Sequence, residues 1–269
     1  MRRTLFFTFV CASFLCIFSA CNPYADRKFT SLFNGENLDG WYCKIRSAND
    51  SLAQKVFAVE DGMVHVFNDA FPDKYELKGK NNTHGLFYTN KKYSRFIFRF
   101  DYKWGKKIAN NYHQFQYDAG CYYHVVDDKV WPIGVEYQVR YNDVTNENHT
   151  GDFWTGQLSK QMIWTADAEG KHFLSVAEGG VPQSGRTGEL RASKNAPFNG
   201  LNDQWNECEV IVMGDKYAIH KLNGELVNVG IDLGISSGNI GLQSETGEIF
   251  YRNIRILELD EDVPMEDFL

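Results

Sequence analysis

Three side chains able to bind hydroxyls and move protons fall at every second position of one short segment. They are Glu136, Gln138 and Arg140 in "GVEYQVRYN", residues 134–142. Their neighbours Val135, Tyr137, Val139 and Tyr141 are apolar. Such alternation marks a β-strand with one face for a core and the other carrying a carboxylate, an amide and a guanidinium. Alternate side chains on a strand stand about 6.6 Å apart in a row, enough to span a sugar ring. Carboxylates, amides and guanidinium forks suit the hydroxyl pairs of a sugar edge, while aromatics cover its faces. A solvated face is the plain alternative, because antiparallel sheets often show one polar side to water.

The preceding segment, "YHQFQYDAGCYYHVV", places Asp118, Tyr122 and His124 on one parity with Gly120 between them. A hairpin through "VVDDKVWPIG" sets this strand antiparallel to the Glu136 strand. Whether Tyr122 and His124 share the polar face depends on register, since a slip of one residue turns them to the other side. By itself His124 reads as structural, because a histidine acquires a role only with a positioned partner.

Ordinary glycoside hydrolysis uses two carboxyl groups, about 5–5.5 Å apart for retention and about 6.5–9.5 Å apart for inversion. The row Glu136-x-Gln138-x-Arg140 supplies one, and Asp118 is the candidate for the second. For a divalent metal acting as a Lewis acid the candidates are His124, His149, Asp152 and His220, no two at metal-motif spacing. No metal site is therefore assigned, and His220, before the Asn223-Gly224 turn, reads as structural. "RTGELRASKNAPFNG", residues 186–200, reads as a rim loop whose Arg191 and Lys194 face water.

The elements that must position these groups are strands. "SRFIFRFDYKW" alternates Phe96, Phe98, Phe100, Tyr102 and Trp104 with polar neighbours. Turn signals at Gly214-Asp215 and Asn223-Gly224 divide residues 206–231 into three antiparallel strands, and Thr246-Gly247 suggests another hairpin. Short strands with almost no 3.6-residue periodicity indicate an all-β sandwich or barrel. The long polar connection over residues 142–172 is expected to fold across one face, and residues 259–269 read as a frayed acidic end.

The chain begins with two arginines, an apolar run from Leu5 to Phe18 and small residues, the order of a secretory leader. That run is shorter than the ~20 residues a spanning helix needs. Phe18-Ser19-Ala20-Cys21 resembles a bacterial lipobox, which implies lipidation at Cys21 and a domain tethered to the cell envelope by acyl chains, facing the periplasm or the cell surface. The organisation expected is a leader over 1–21, a tether over 22–28, a sandwich over 29–258 and the acidic tail. With 28 basic against 35 acidic side chains the chain is acidic, and loss of Arg2 and Arg3 makes it more so. Nucleic acid is thereby disfavoured as a partner. Cys43, Cys121 and Cys208 form no zinc pattern and read as small buried residues.

Five stretches in order, "FTSLFNGENLDGW" (29–41), "GVEYQV" (134–139), "QWNECEV" (204–210), "HKLNGELV" (220–227) and "GNIGLQSETGEIFYRNIRI" (238–256), together resemble the 3-keto-disaccharide hydrolase family. The resemblance implies a concanavalin A-like jelly roll of two curved antiparallel sheets, with a carbohydrate on its concave face. It also implies a substrate oxidised to a ketone at C3, made by an upstream sugar 3-dehydrogenase; no cofactor is expected, with a divalent metal as the open alternative. Such a ketone acidifies the C2 proton, so one base can start an elimination. On this reading Glu136 takes that proton, Arg140 or Gln138 steadies the enolate oxygen, and His124 protonates the leaving group, while Asp118 and Tyr122 bind sugar. The chain departs from the family at Asp118-Ala119-Gly120, where Asn-Ser-Gly is usual, and at Arg140, where an aspartate often follows the glutamine. The alternative is a non-catalytic carbohydrate-binding lipoprotein, which needs the same polar face but no base.

Overall fold

The computed structural model describes residues 27–76, 81–110 and 117–269. Cys21, the leader and most of the expected tether lie outside these residues. The described chain folds as a jelly-roll β-sandwich of an eight-stranded and a ten-stranded antiparallel sheet. One short α-helix, Asp50–Val56, interrupts it, N-capped by the Asn49 side chain on Leu52 N. Among the described residues no helix is long and apolar enough to cross a membrane.

The smaller sheet carries, in spatial order, Gly188–Leu190, Phe153–Thr155, Val135–Asn142, Tyr117–Val125, Asn239–Ser244, Gly85–Thr89 and Trp41–Ile45, with Glu147–Asn148 beside Val135–Asn142. The larger sheet centres on Arg95–Ile108, paired with Asn206–Met213 on one side and Gly247–Glu258 on the other. Phe96, Phe98 and Phe100 point inward from it and meet Tyr137, Val139, Ala119 and Cys121 of the smaller sheet in one core. The Phe100 and Tyr137 rings touch edge to face at 6.0 Å. Inward packing of the odd-numbered residues of Val135–Asn142 turns Glu136, Gln138 and Arg140 to the outer face of the smaller sheet.

The three-stranded run over residues 206–231 forms as expected, with Asn223 and Gly224 both at positive φ in its second turn. Three other expectations change. Thr246-Gly247 does not close a hairpin: Asn239–Ser244 lies in the smaller sheet and Gly247–Glu258 in the larger, so the turn carries the chain between layers. The connection after residue 142 is not a plain cover, because it contributes Phe153–Thr155 to one sheet and Ile163–Ala166 to the other. The acidic tail is docked rather than frayed. Leu259, Val263 and Phe268 pack on Ile97, Ile211, Met213 and Ile219, outer-face residues that would otherwise meet water. Asp262 pairs with Arg95 and Lys216, and Tyr217 Oη donates to Val263 O. Cys43, Cys121 and Cys208 are free thiols.

Phe268→Ala should therefore destabilise the fold by about 3 kcal/mol, in the usual range for a buried aromatic. Denaturant unfolding measures it, and an unchanged midpoint would show that the tail does not close the outer face.

Candidate active site

Register assembles the site. On the outer face of the smaller sheet, Tyr122 lies opposite Glu136 and Glu136 opposite Trp154, forming one row across three strands. Two residues along, Gly120 lies opposite Gln138, and a further two along, Asp118 lies opposite Arg140. The Asn239–Ser244 strand adds Gln243 beside this grid, and Glu245 follows at its end. Together with Trp131 these residues line a cavity of about 280 Å³. The polar face is thus no solvated surface: Glu136, Gln138 and Arg140 are each at most 5 % exposed.

Burial dominates the electrostatics. It pushes the Glu136 carboxyl up to about 8, assisted by the charge of Asp118 and opposed by the Tyr122 hydroxyl, which donates to it, and by Arg140. Glu245 is pushed up to about 8 by burial and then by the charge of Glu136. Asp118 is raised well above the usual carboxylate range by burial and by Glu245. Three desolvated carboxyls thus face one cavity, each held above the ordinary carboxylate range chiefly by burial.

Supporting contacts fix this cluster. Gln138 Nε2 donates to Asp118 Oδ1 at 2.5 Å. Arg140 donates to Glu189 and lies 3.0 Å from His149 Nδ1, so its guanidinium is braced from the cavity's far side. Gly120 has no side chain because the Glu136 carboxyl occupies the space where a Cβ would stand. Gln243, 2 % exposed, keeps its Oε1 unpartnered at this floor.

The structure brings together Glu136, Gln138, Arg140, Asp118 and Tyr122, and separates His124 from them. Between Tyr122 and Val125 the chain carries one residue more than its partner Gly241–Asn239, a β-bulge at which His124 has φ 51°. The bulge reverses parity. His124 turns inward against Phe96, with Nδ1 2.8 Å from Ile235 O and Nε2 3.1 Å from Ser94 O. It does not reach the cavity, so the expected protonation of a leaving group by His124 is replaced by a structural role. His220 is also structural, lying between Tyr123 Oη and Gly151 O.

Of the metal candidates, His149 and Asp152 come together, joined by Glu189: one ligand atom from each lies within 4.8 Å of the others. These donor types suit a divalent cation. As packed, however, the Arg140 guanidinium stands against both His149 and Glu189 and takes the cationic place itself.

Sequence reasoning missed Gln243, Glu245, Trp131 and Trp154. The first two carried a legible signal, since Gly241, Gln243 and Glu245 share one parity in "GLQSETG", as Glu136, Gln138 and Arg140 do in theirs. The tryptophans had no such signal, because a turn and a three-residue strand are too short for periodicity.

A family model described as a 3-keto-alpha-glucoside-1,2-lyase-like domain matches residues 28–257. No curated protein matches the chain. Among solved structures, a Parabacteroides distasonis protein described as a "putative glycosyl hydrolase" is 21% identical, with a TM-score of 0.51, covering 86% of this chain and 94% of that one. A second from the same organism, described in the same words, is 19% identical with a TM-score of 0.51, covering 87% and 100%. These two likenesses support the sandwich fold.

The raised Glu136 carboxyl makes a stability prediction. Its folded state holds a proton that the unfolded chain releases near 4.5, so stability falls as pH rises from there through about 8. Glu136→Gln, which mimics the protonated form, should raise Tm, with a gain that grows between pH 5 and pH 9. A gain independent of pH would mean that Glu136 titrates normally.

Proposed function

The chain belongs to the 3-keto-alpha-glucoside-1,2-lyase-like family, and we propose that it cleaves glycosidic bonds of 3-keto-glycosides by C2-proton abstraction and elimination, with net hydrolysis when water adds. The observation that carries this reading is the pair of buried carboxyls, Glu136 and Glu245, both poised near 8 in one cavity. Groups poised near the working pH serve as acid and base, whereas a binding module needs neither shift.

In the proposed reaction Glu136, as carboxylate, takes the C2 proton, and the electron pair moves onto the C3 carbonyl oxygen as an enolate. The enolate then reforms the ketone, a C1–C2 double bond forms, and the C1–O bond breaks with its electrons leaving on the aglycone oxygen. Glu245, as carboxylic acid, supplies the proton that oxygen needs. This assignment replaces His124, which has no path to the cavity. Gln138 is held by Asp118 and Arg140 by Glu189, and the unpartnered Gln243 Oε1 is an acceptor, so it suits a substrate hydroxyl rather than the enolate oxygen. Arg140 then acts by holding the Asp118–Glu136 floor in place and moderating its charge.

As part of the same proposal, the leader and a lipidated Cys21 tether the enzyme to the cell envelope, facing the periplasm or the cell surface. Its substrate comes from an upstream sugar 3-dehydrogenase.

With purified protein and a panel of 3-keto-glycosides, kcat/KM should follow a bell in pH with its maximum near 8. Activity is lost below as Glu136 takes up its proton and above as Glu245 gives its proton away. Glu136→Gln should lower kcat by at least about 10²-fold, the scale of one general base. Gly120→Ala should lower it with the fold intact, by pushing the carboxyl aside. A chelator arm reports whether a cation at His149, Asp152 and Glu189 takes part. Full activity of Glu136→Gln would overturn the base assignment. Saturable sugar binding without turnover in the parent protein would favour the carbohydrate-binding alternative.

A further inference from the structure

Trp131 and Trp154 are large indoles left 44% exposed at the rim of a cavity whose floor is otherwise polar. They stand on opposite flanks. Trp154 is directly opposite Glu136 on the neighbouring strand, so its indole stands beside the base. Trp131 belongs to the loop before Val135 but rests on the far side of the sheet. Its ring lies 5.3 Å from that of His84, just before the Gly85–Thr89 strand, and 5.2 Å from the Arg46 guanidinium. His84 Nδ1 is in turn 3.9 Å from Glu245 Oε1, so His84 links Trp131 to the acid. Four interstrand steps, about 19 Å along a flat sheet and less on a curved one, separate the strands that carry these supports.

We propose that the two indoles divide the cavity into two subsites: Trp154 stacks the ring that loses its C2 proton, and Trp131 stacks the leaving group. This rests on the acid and base assignment above. The base marks where the oxidised ring must lie, and the acid marks where the departing oxygen must lie. An indole beside each is the complement of a flat ring with an apolar face. The leaving group is then itself such a ring, a second sugar or an aryl group, rather than a small alcohol. Burial of His84, whose imidazole is pushed down to about 3, keeps the support beneath Trp131 uncharged.

The test compares kcat/KM for 3-keto-glycosides with glucosyl, aryl and methyl leaving groups in the parent, Trp131→Ala, Trp131→Phe and Trp154→Ala. In Trp131→Ala the preference for the glucosyl and aryl compounds over the methyl compound should fall roughly tenfold, the scale of one aromatic stack. Trp131→Phe should restore most of it. Trp154→Ala should lower all three rates together and leave the preference intact. Equal loss across leaving groups in Trp131→Ala, or a changed preference in Trp154→Ala, would overturn the assignment. If the parent turns over none of the three, the failure lies with the reaction. The same comparison made by calorimetric binding then decides the subsites, with the same ratios expected and the same results contradicting them.

Discussion

Everything at this site depends on the removal of three carboxyl groups from water on one face of a sheet. A solvated carboxylate row on a β-sandwich would ionise near 4 and do little at neutral pH. Asp118, Glu136 and Glu245 instead lie within 9% exposure of a closed surface, and burial is the largest influence on each. The cost is unfavourable solvation, which the fold limits by keeping protons on the cluster and by bringing Arg140 to within reach of it. Arg140 needs counter-charges of its own, which explains why Glu189 comes in from the edge strand Gly188–Leu190.

A cluster of this kind needs a stiff support, because a carboxyl that could swing into water would relax to its ordinary acidity. The sandwich supplies it through the aromatic core beneath, where Tyr137 packs between Phe100 and His220 under the Glu136 strand. Gly120 then leaves a space only the Glu136 carboxyl fills. The C-terminal tail performs a related service on the opposite surface, covering the outer apolar residues of the larger sheet with Leu259, Val263 and Phe268.

Much of this was legible in the sequence. Period-two alternation identifies Arg95–Ile108 and Val135–Asn142 with their correct inward faces, and the short loop gives the antiparallel hairpin, but the register that sets Asp118 and Tyr122 beside Arg140 and Glu136 is legible only in the structure. His124 was misplaced because alternation assumes an unbroken strand. One extra residue at a bulge reverses every side chain beyond it, and no residue type there announces it. Glu245 was readable but lay in a stretch whose turn was taken for a hairpin. The tail reads as solvated because five of the eleven residues in "LDEDVPMEDFL" are acidic, while its three spaced apolar anchors show their purpose only against the exposed face they cover.

The central claim is that the C2–H bond breaks before the glycosidic bond is lost. Its most direct measurement is turnover of a 3-keto-glycoside in heavy water with the hydrogen at C2 followed by NMR, beside a substrate deuterated at C2. The account predicts that the original C2 hydrogen is lost from substrate as the aglycone is released, and that the deuterated substrate reacts more slowly. Release of the aglycone at an unchanged rate, with the original hydrogen still at C2 of the sugar product, would contradict it.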